Sequence, residues 1–168
     1  SVLKKEKDSD RTLEGAIFGL FAKEDIKSET TGKVLIEANE IIELKSTDEE
    51  GKITFVADLP IGATYYVKEL YAPDGFVTND EVKEFTFEYA GEDQPTVTYD
   101  FTFDNQPTVV EFTKSSLTTG KEIPGCKLKV VDADGNIVDE WISGKEAHVI
   151  RELTVGKEYT LVETKPAD

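Results

Sequence analysis

Cysteine occurs once in this chain of 168 residues and histidine once, and lysine plus arginine are outnumbered by acids, 19 against 35. Each shortage excludes something. A single thiol, Cys126, permits no intramolecular disulfide and no cysteine-based zinc cluster. A single imidazole, His148, closes most routes to a Ser–His–Asp triad or a histidine metal site. Neither a Gly-x-Ser-x-Gly elbow nor a phosphate-cradling glycine loop is present. The reading is therefore of a protein that is not an enzyme and that needs no cofactor and no metal. A formal net charge of −16 argues against nucleic acid, which needs clustered cations for counter-ion release, and against direct contact with an anionic membrane. Apolar runs fall far short of a membrane span, and the first residues carry no signal-peptide pattern. Disorder is the other correlate of strong net charge, but 38% hydrophobic and 10% aromatic residues are too many for it. What remains is an acidic, disulfide-free globular monomer, read as a fragment of a longer chain.

Alternation with period two dominates what is there. Phe85, Phe87 and Tyr89 alternate with Glu84, Thr86 and Glu88, and Val97, Tyr99, Phe101 and Phe103 alternate with Thr98, Asp100, Thr102 and Asp104. Aromatic and β-branched residues in that pattern predict half-buried antiparallel strands. Asp134-Gly135, between Lys129-Val130-Val131 and Ile137-Val138, predicts a tight hairpin turn. Val34 to Leu44 suits a short helix or two strands joined at Asn39-Glu40, and the two strands are preferred. Asp132-Ala133-Asp134-Gly135-Asn136 begins like a calcium loop, but the twelfth position is Ser143 instead of a bidentate Glu, so the hairpin reading stands. The acidic clusters Asp48-Glu49-Glu50 and Glu92-Asp93 read as solvated loop tips. His148 reads as a structural histidine, Trp141 as core, and Cys126 as a buried apolar residue.

The chain also repeats itself. Leu13-Glu14-Gly15-Ala16-Ile17-Phe18 matches Ile123-Pro124-Gly125-Cys126-Lys127-Leu128, and a lysine stands nine residues before each block, Lys4 and Lys114. Further on, Leu59-x-x-Gly62-x-x-Tyr65-x-Val67-x-Glu69 matches Leu153-x-x-Gly156-x-x-Tyr159-x-Leu161-x-Glu163, and both run on to Asp74 and Asp168. Two copies of one domain are predicted, at 1–107 and 108–168. The first continues well past its glutamate to Asn105, whereas the second stops at Asp168, which predicts a second copy lacking its final strands and less stable for the exposed edge.

These blocks resemble the B-type repeat domains of Gram-positive surface proteins, the Cna protein B-type family (SpaA-like, prealbumin-like) also found in pilins. The likeness rests on Lys4-Lys5-Glu6, Leu13 to Phe18, Gly62 to Glu69, Ala72-Pro73-Asp74-Gly75-Phe76 and Phe103-Asp104-Asn105. It implies an all-β fold of tandem transthyretin-like or inverse immunoglobulin-like sandwiches. It also implies a self-formed isopeptide bond between the first-strand lysine, Lys4, and the last-strand asparagine, Asn105, with Glu69 as proton relay. A one-residue slip would turn Lys5 inward instead, but the nine-residue spacing shared with Lys114 favours Lys4. Lys114 and Glu163 are the second-copy counterparts. No acceptor asparagine follows them and Ser116 stands where the family often has Asp, so no bond is predicted there. The resemblance further implies an extracellular, cell-wall-attached stalk or spacer in an adhesin or pilus-like protein, its partners being neighbouring domains of that protein. The alternative is a domain that binds a host protein or glycan through its 22–58 segment.

The chemistry accounts for these residue types. An exposed lysine, with a pKa near 10.4, is almost never an unprotonated nucleophile at neutral pH. Burial among aromatic rings such as Phe18, Phe55, Phe87, Phe101 and Phe103 disfavours the ammonium. A neutral Glu69 would hydrogen-bond the amide oxygen of Asn105 and relay a proton from Lys4 to the departing ammonia. Holding three groups in contact turns a bimolecular step into an intramolecular one, worth roughly 7–11 kcal/mol in well-aligned cases.

Overall fold

Alternation becomes strand almost wherever a neighbouring strand can complete the ladder. The computed structural model describes residues 1–89, 91–92 and 97–166, so Asp93 of the acidic pair and the Asp168 that closes the second repeat lie outside the described residues. The chain forms two compact units, one of Ser1–Pro73 with Val77–Gln106, the other of Asp74–Phe76 with Pro107–Asp168. All regular elements among the described residues are strands, as the all-β reading requires.

The first unit contains β1 (Val2–Glu6), β2 (Ile17–Ala22), β3 (Ile26–Lys27), β4 (Val34–Ile36), β5 (Ile41–Ser46), β6 (Lys52–Ile53), β7 (Thr64–Tyr71), β8 (Val82–Thr86) and β9 (Phe101–Asn105). A four-stranded antiparallel sheet has the order β5-β2-β7-β8, and a three-stranded sheet has the order β6-β1-β9. Within the smaller sheet β1 pairs antiparallel with β6 but parallel with β9, so the first and last strands of the unit are direct neighbours. The ladder on β9 begins only at Phe101, opposite Val2, which is why the alternating residues from Val97 to Asp100 are not strand. Val34 to Leu44 forms two strands, with Asn39 at φ +64° in the turn between them.

The inward faces of both sheets share one core of Val2, Ala16, Phe18, Leu20, Ala22, Ile26, Ile53, Tyr65, Val67 and Phe103. Phe18 of β2 and Phe103 of β9 meet across it with ring centroids 4.9 Å apart. Full burial of each such side chain stabilises the fold by roughly 1.5–3 kcal/mol. The central strand β2 is buried on its outer side as well, because Phe21 stacks on Tyr66 of β7 at 4.8 Å and is only 5% exposed.

The second unit contains β10 (Val109–Phe112), β11 (Lys127–Asp132), β12 (Ile137–Ile142), β13 (His148–Arg151) and β14 (Tyr159–Lys165), in sheets ordered β12-β11-β14 and β10-β13. These pairings repeat β5-β2-β7 and β1-β6, and among the described residues no strand of this unit corresponds to β8 or β9. The internal repeat is visible in the hydrogen bonds. Leu13 and Ile123 donate their backbone N–H groups to the carbonyls of Lys4 and Lys114, at 3.0 and 2.6 Å. Thr47 accepts the Ala16 N–H on its hydroxyl and donates to the Leu13 carbonyl; Ser143 does the same for Cys126 and Ile123. The Asp134-Gly135 hairpin joins β11 and β12, with Asp132 Oδ1 accepting the N–H groups of Asp134 and Asn136.

One loop fixes β1 from outside the ladder. Gly51 accepts the Lys4 N–H on its carbonyl at 2.7 Å, has φ +72°, and lies so close that a Cβ would meet the Lys4 carbonyl oxygen at 2.5 Å. Positive φ and contact with an immovable backbone atom both select glycine here. Gly51→Ala is expected to cost about 1–3 kcal/mol in the first unit. The change should register as lost amide hydrogen-exchange protection in β1 and β6, and unchanged protection would contradict it.

Candidate functional site

Strand alternation decides which charged residues enter the core. On β1, Val2 and Lys4 point inward and are buried, whereas Lys5 points outward to Asp10, 3.4 Å away. On β9 the inward positions are Phe103 and Asn105, and on β7 they are Tyr65, Val67 and Glu69. In the parallel ladder Lys4 lies opposite Phe103 and Glu6 opposite Asn105, so Lys4 and Asn105 share the inward face one step apart. Glu69 arrives from the facing sheet, on the rung of β7 that pairs with Phe18. Of the residues singled out in the sequence, the structure thus brings Lys4, Glu69 and Asn105 together and directs Lys5 away.

The three side chains are almost completely shut off from solvent, at 0%, 4% and 1% exposure. Asn105 Nδ2 donates to Glu69 Oε1 at 2.9 Å, and Lys4 Nζ lies 3.6 Å from the same oxygen. Oε2 of that carboxylate accepts the backbone N–H of Asn79 at 2.6 Å. Lys4 Nζ and Asn105 Oδ1 have no hydrogen-bond partner. Phe18 and Phe103 pack around them, with the Lys4 amine 6.0 Å from the Phe18 ring centroid. Burial pushes the Lys4 pKa below the usual lysine range, against the opposing pull of Glu69, Asp104 and Glu81. An amine with no donor or acceptor contact, a lowered proton affinity and a carboxylate at hand is set up to become a nucleophile.

One contact differs from the sequence-based expectation. Glu69 faces the nitrogen of the Asn105 amide, not its oxygen. Both carboxylate oxygens act as acceptors, Oε2 for a backbone N–H and Oε1 for Nδ2, and a carboxylate so engaged attracts the donor end of a carboxamide. The arrangement suits proton transfer to the nitrogen that would leave better than polarisation of the carbonyl.

In the second unit Lys114 and Glu163 also meet, Nζ to Oε2 at 2.9 Å, but both side chains are about one-third exposed. The hydrogen bond and charge of Glu163 hold the Lys114 pKa above its ordinary value. The other singled-out residues take structural positions. His148 Nε2 lies 2.8 Å from Asp139 Oδ2 and the ring stacks on Trp141 at 4.2 Å. Trp141 in turn meets Phe112, with centroids 5.5 Å apart. Cys126 is 2% exposed. The Asp132 carboxylate is used by its own turn, whose hydrogen bonds pull it below the usual range. Asp48 likewise holds the turn before Lys52.

Sequence reasoning missed Asn79, whose backbone and side chain both reach the site, and the paired hydroxyls of Thr47 and Ser143. It also missed why Tyr65 and Tyr159 recur: the Tyr65 hydroxyl donates to the Pro60 carbonyl at 2.7 Å, and the Tyr159 hydroxyl accepts the Thr154 N–H at 2.9 Å. Each tyrosine thereby pins the loop leading into its own strand.

A family model described as SpaA, a prealbumin-like fold domain, matches residues 1–104 and again 108–168. No curated protein matches the chain. Among solved structures, the Bacillus anthracis TIE protein is similar at 24% identity and a TM-score of 0.56, over 98% of this chain and 28% of that one. A streptococcal ancillary pilin is similar at 22% identity and a TM-score of 0.42, over 99% of this chain and 53% of that one. A mutant of the shaft pilin SpaA from Lactobacillus rhamnosus GG is similar at 17% identity and a TM-score of 0.45, over 99% and 86%. This chain therefore spans only about a quarter to a half of the first two.

The buried amine carries a pH signature. A lysine whose folded pKa is lowered binds its proton more weakly in the folded than in the unfolded chain, so unfolding takes up a proton and stability rises with pH. In an Asn105→Ala variant, which keeps a free Lys4, the denaturation midpoint of the first unit should climb as pH rises toward the ordinary lysine range, near 10.4. Adding Lys4→Met should flatten that climb, and an equal slope in both proteins would refute the assignment.

Proposed function

The chain belongs to the family of SpaA prealbumin-like fold domains, and from that premise we propose that it is a structural stalk module of an extracellular, cell-wall-attached Gram-positive surface or pilus-like protein, locked by a Lys4–Asn105 isopeptide bond. The observation that carries this reading is the solvent-excluded trio itself, with Glu69 Oε1 placed 3.6 Å from one nitrogen and 2.9 Å from the other. A lysine, a glutamate and an asparagine buried together are costly for a fold that makes no use of them.

The reaction balances with no added reagent. The unprotonated Lys4 amine attacks Asn105 Cγ, a Nζ–Cγ bond forms, and the Cγ–Nδ2 bond breaks. Glu69 Oε1 takes the proton that the attacking nitrogen sheds and passes it to Nδ2, which leaves as ammonia. Each molecule reacts once, so this is self-modification. The closed loop spans about 100 residues, for which constraint of the unfolded chain is worth about 4.7 kcal/mol.

A second reading, recognition of a host protein or glycan through the 22–58 segment, is favoured by a cleft that this segment shares with residues 59–63. Leu35 and Ile61 are 59% and 60% exposed beside this cleft, which Glu24, Asp25, Asp58 and Pro60 also line. Saturable binding by the protein, lost on Leu35→Asp, would support that reading, and no binding leaves the spacer.

For the principal reading, the intact protein is expected to weigh one ammonia less than its sequence, with one proteolytic fragment joining Lys4 to Asn105. Lys4→Ala, Asn105→Ala and Glu69→Ala should each restore the full mass and lower the melting temperature of the first unit. A wild-type mass equal to that of the sequence would sink the proposal.

A further inference from the structure

We infer that Asn79 is a positioning residue for the cross-linking step, fixing which oxygen of Glu69 handles the transferred proton; the inference rests on the isopeptide reading above. Asn79 is not part of the trio and lies on no strand. Its contacts nevertheless tie three pieces of the site to one another. Its backbone N–H donates to Glu69 Oε2 at 2.6 Å, its Nδ2 donates to the Asp104 carbonyl at 2.8 Å, and its Oδ1 accepts the Glu81 N–H at 2.7 Å. Two residues earlier, the Val77 N–H donates to the Gln106 carbonyl at 2.9 Å. The segment from Val77 to Glu81 is thus fastened to both sides of Asn105 on β9, and through Asn79 to the carboxylate on the facing sheet.

The consequence for Glu69 is a division of labour. A carboxylate can rotate or exchange the roles of its oxygens, and a proton carried on the wrong one would face away from both nitrogens. The Asn79 N–H occupies Oε2 and favours negative charge there. Oε1 is left as the oxygen that meets Lys4 Nζ and Asn105 Nδ2. The backbone N–H can do this only while it is held in place, and the side chain supplies the hold through the Asp104 and Glu81 contacts. A polar cleft lined by Lys7, Thr78, Asn79, Glu81, Lys83 and Asp104 lies alongside this clamp. An error of about 1 Å in such a site can cost of the order of a hundredfold in rate.

The test uses the full chain with Asn79→Ala, which keeps the N–H but frees it, and Asn79→Asp, which keeps the acceptor for Glu81 but loses the donor to Asp104. Each is made alone and in a Lys4→Met background, where no bond can form and stability reports structure only. Ammonia loss is followed by intact mass over time across a pH series. The expected result is cross-linking slowed at least tenfold in Asn79→Ala, with a pH profile that differs from that of the wild type, since the proton is no longer directed to one oxygen of Glu69. Asn79→Asp is expected to fall between Asn79→Ala and wild type. The matching Lys4→Met pair should remain folded, with the same strand hydrogen-exchange protection. Complete cross-linking at the wild-type rate and pH profile in both variants would overturn the role of Asn79 while leaving the bond intact. Slowing in proportion to lost stability in the Lys4→Met pair, with the pH profile unmoved, would reduce Asn79 to a structural clamp and overturn it too. If Asn79→Ala does not fold, Asn79→Asp decides alone by the same criteria. A wild-type protein with no ammonia loss would defeat the underlying reading instead, so the two failures are distinguishable.

Discussion

The first unit is organised around an amine that cannot reach water. Lys4 occupies a core position on β1, two residues after the buried Val2, and its Nζ is shut off from solvent without a hydrogen-bond partner, the Glu69 carboxylate lying 3.6 Å away. Leaving a full charge there would cost several kcal/mol even after relaxation. The surroundings resolve that cost by making the neutral amine more accessible. Sheet order, the parallel pairing of β1 with β9 and the inward register of Glu69 on β7 all serve to bring those groups into one dry space.

The second unit is the internal control for this argument. Lys114 and Glu163 are the same residue types in the same places of the same repeat, yet they meet at about one-third exposure, and the lysine pKa moves up instead of down. An opposite charge favours the ammonium in both units; only in the first does desolvation outweigh it. The direction in which the lysine pKa moves is therefore a property of burial, not of the lysine–glutamate pair. In the first unit the covering comes from β9, whose Phe103 packs on Phe18 and whose Asn105 contacts Glu69. That single strand supplies both an aromatic wall of the site and the carboxamide inside it.

Much of this was legible in the sequence because the relevant signals are local. Period-two alternation in β7 and β9 fixes which residues face inward, and the nine-residue interval from a lysine to Leu13 and to Ile123 separates Lys4 from Lys5. What was not legible depends on distance in the chain. Thr47 and Ser143 serve the same turn in the two copies, but they follow their partners Ala16 and Cys126 by 31 and 17 residues, because β3 and β4 are inserted in the first copy alone. No spacing rule aligns them. Asn79 sits in an irregular segment where a backbone N–H makes the contact to Glu69, and backbone donors leave no mark in residue identity. The orientation of the Asn105 amide was missed for a related reason, since it follows from what already occupies the other oxygen of Glu69.

The parallel pairing of β1 with β9 gives the proposed bond its mechanical sense. Tension applied ahead of Val2 and beyond Asn105 pulls two parallel neighbours past each other, which loads their ladder hydrogen bonds together in shear. Each of those bonds is worth only about 1 kcal/mol net in water, so a five-residue ladder is a modest barrier by itself. A covalent link from Lys4 to Asn105 lies across that ladder and would carry the load from one strand directly to the other. The residues from Lys5 to Asp104, which include most of the core, would then bear almost none of it. The acidity fits the same picture: residues 1–106 hold 24 acidic against 11 basic residues, a self-repelling surface that opposes compaction and adds nothing to cohesion. A fold under both external tension and internal repulsion gains most from a fastening that does not depend on charge, and with a single cysteine in the chain that fastening cannot be an intramolecular disulfide.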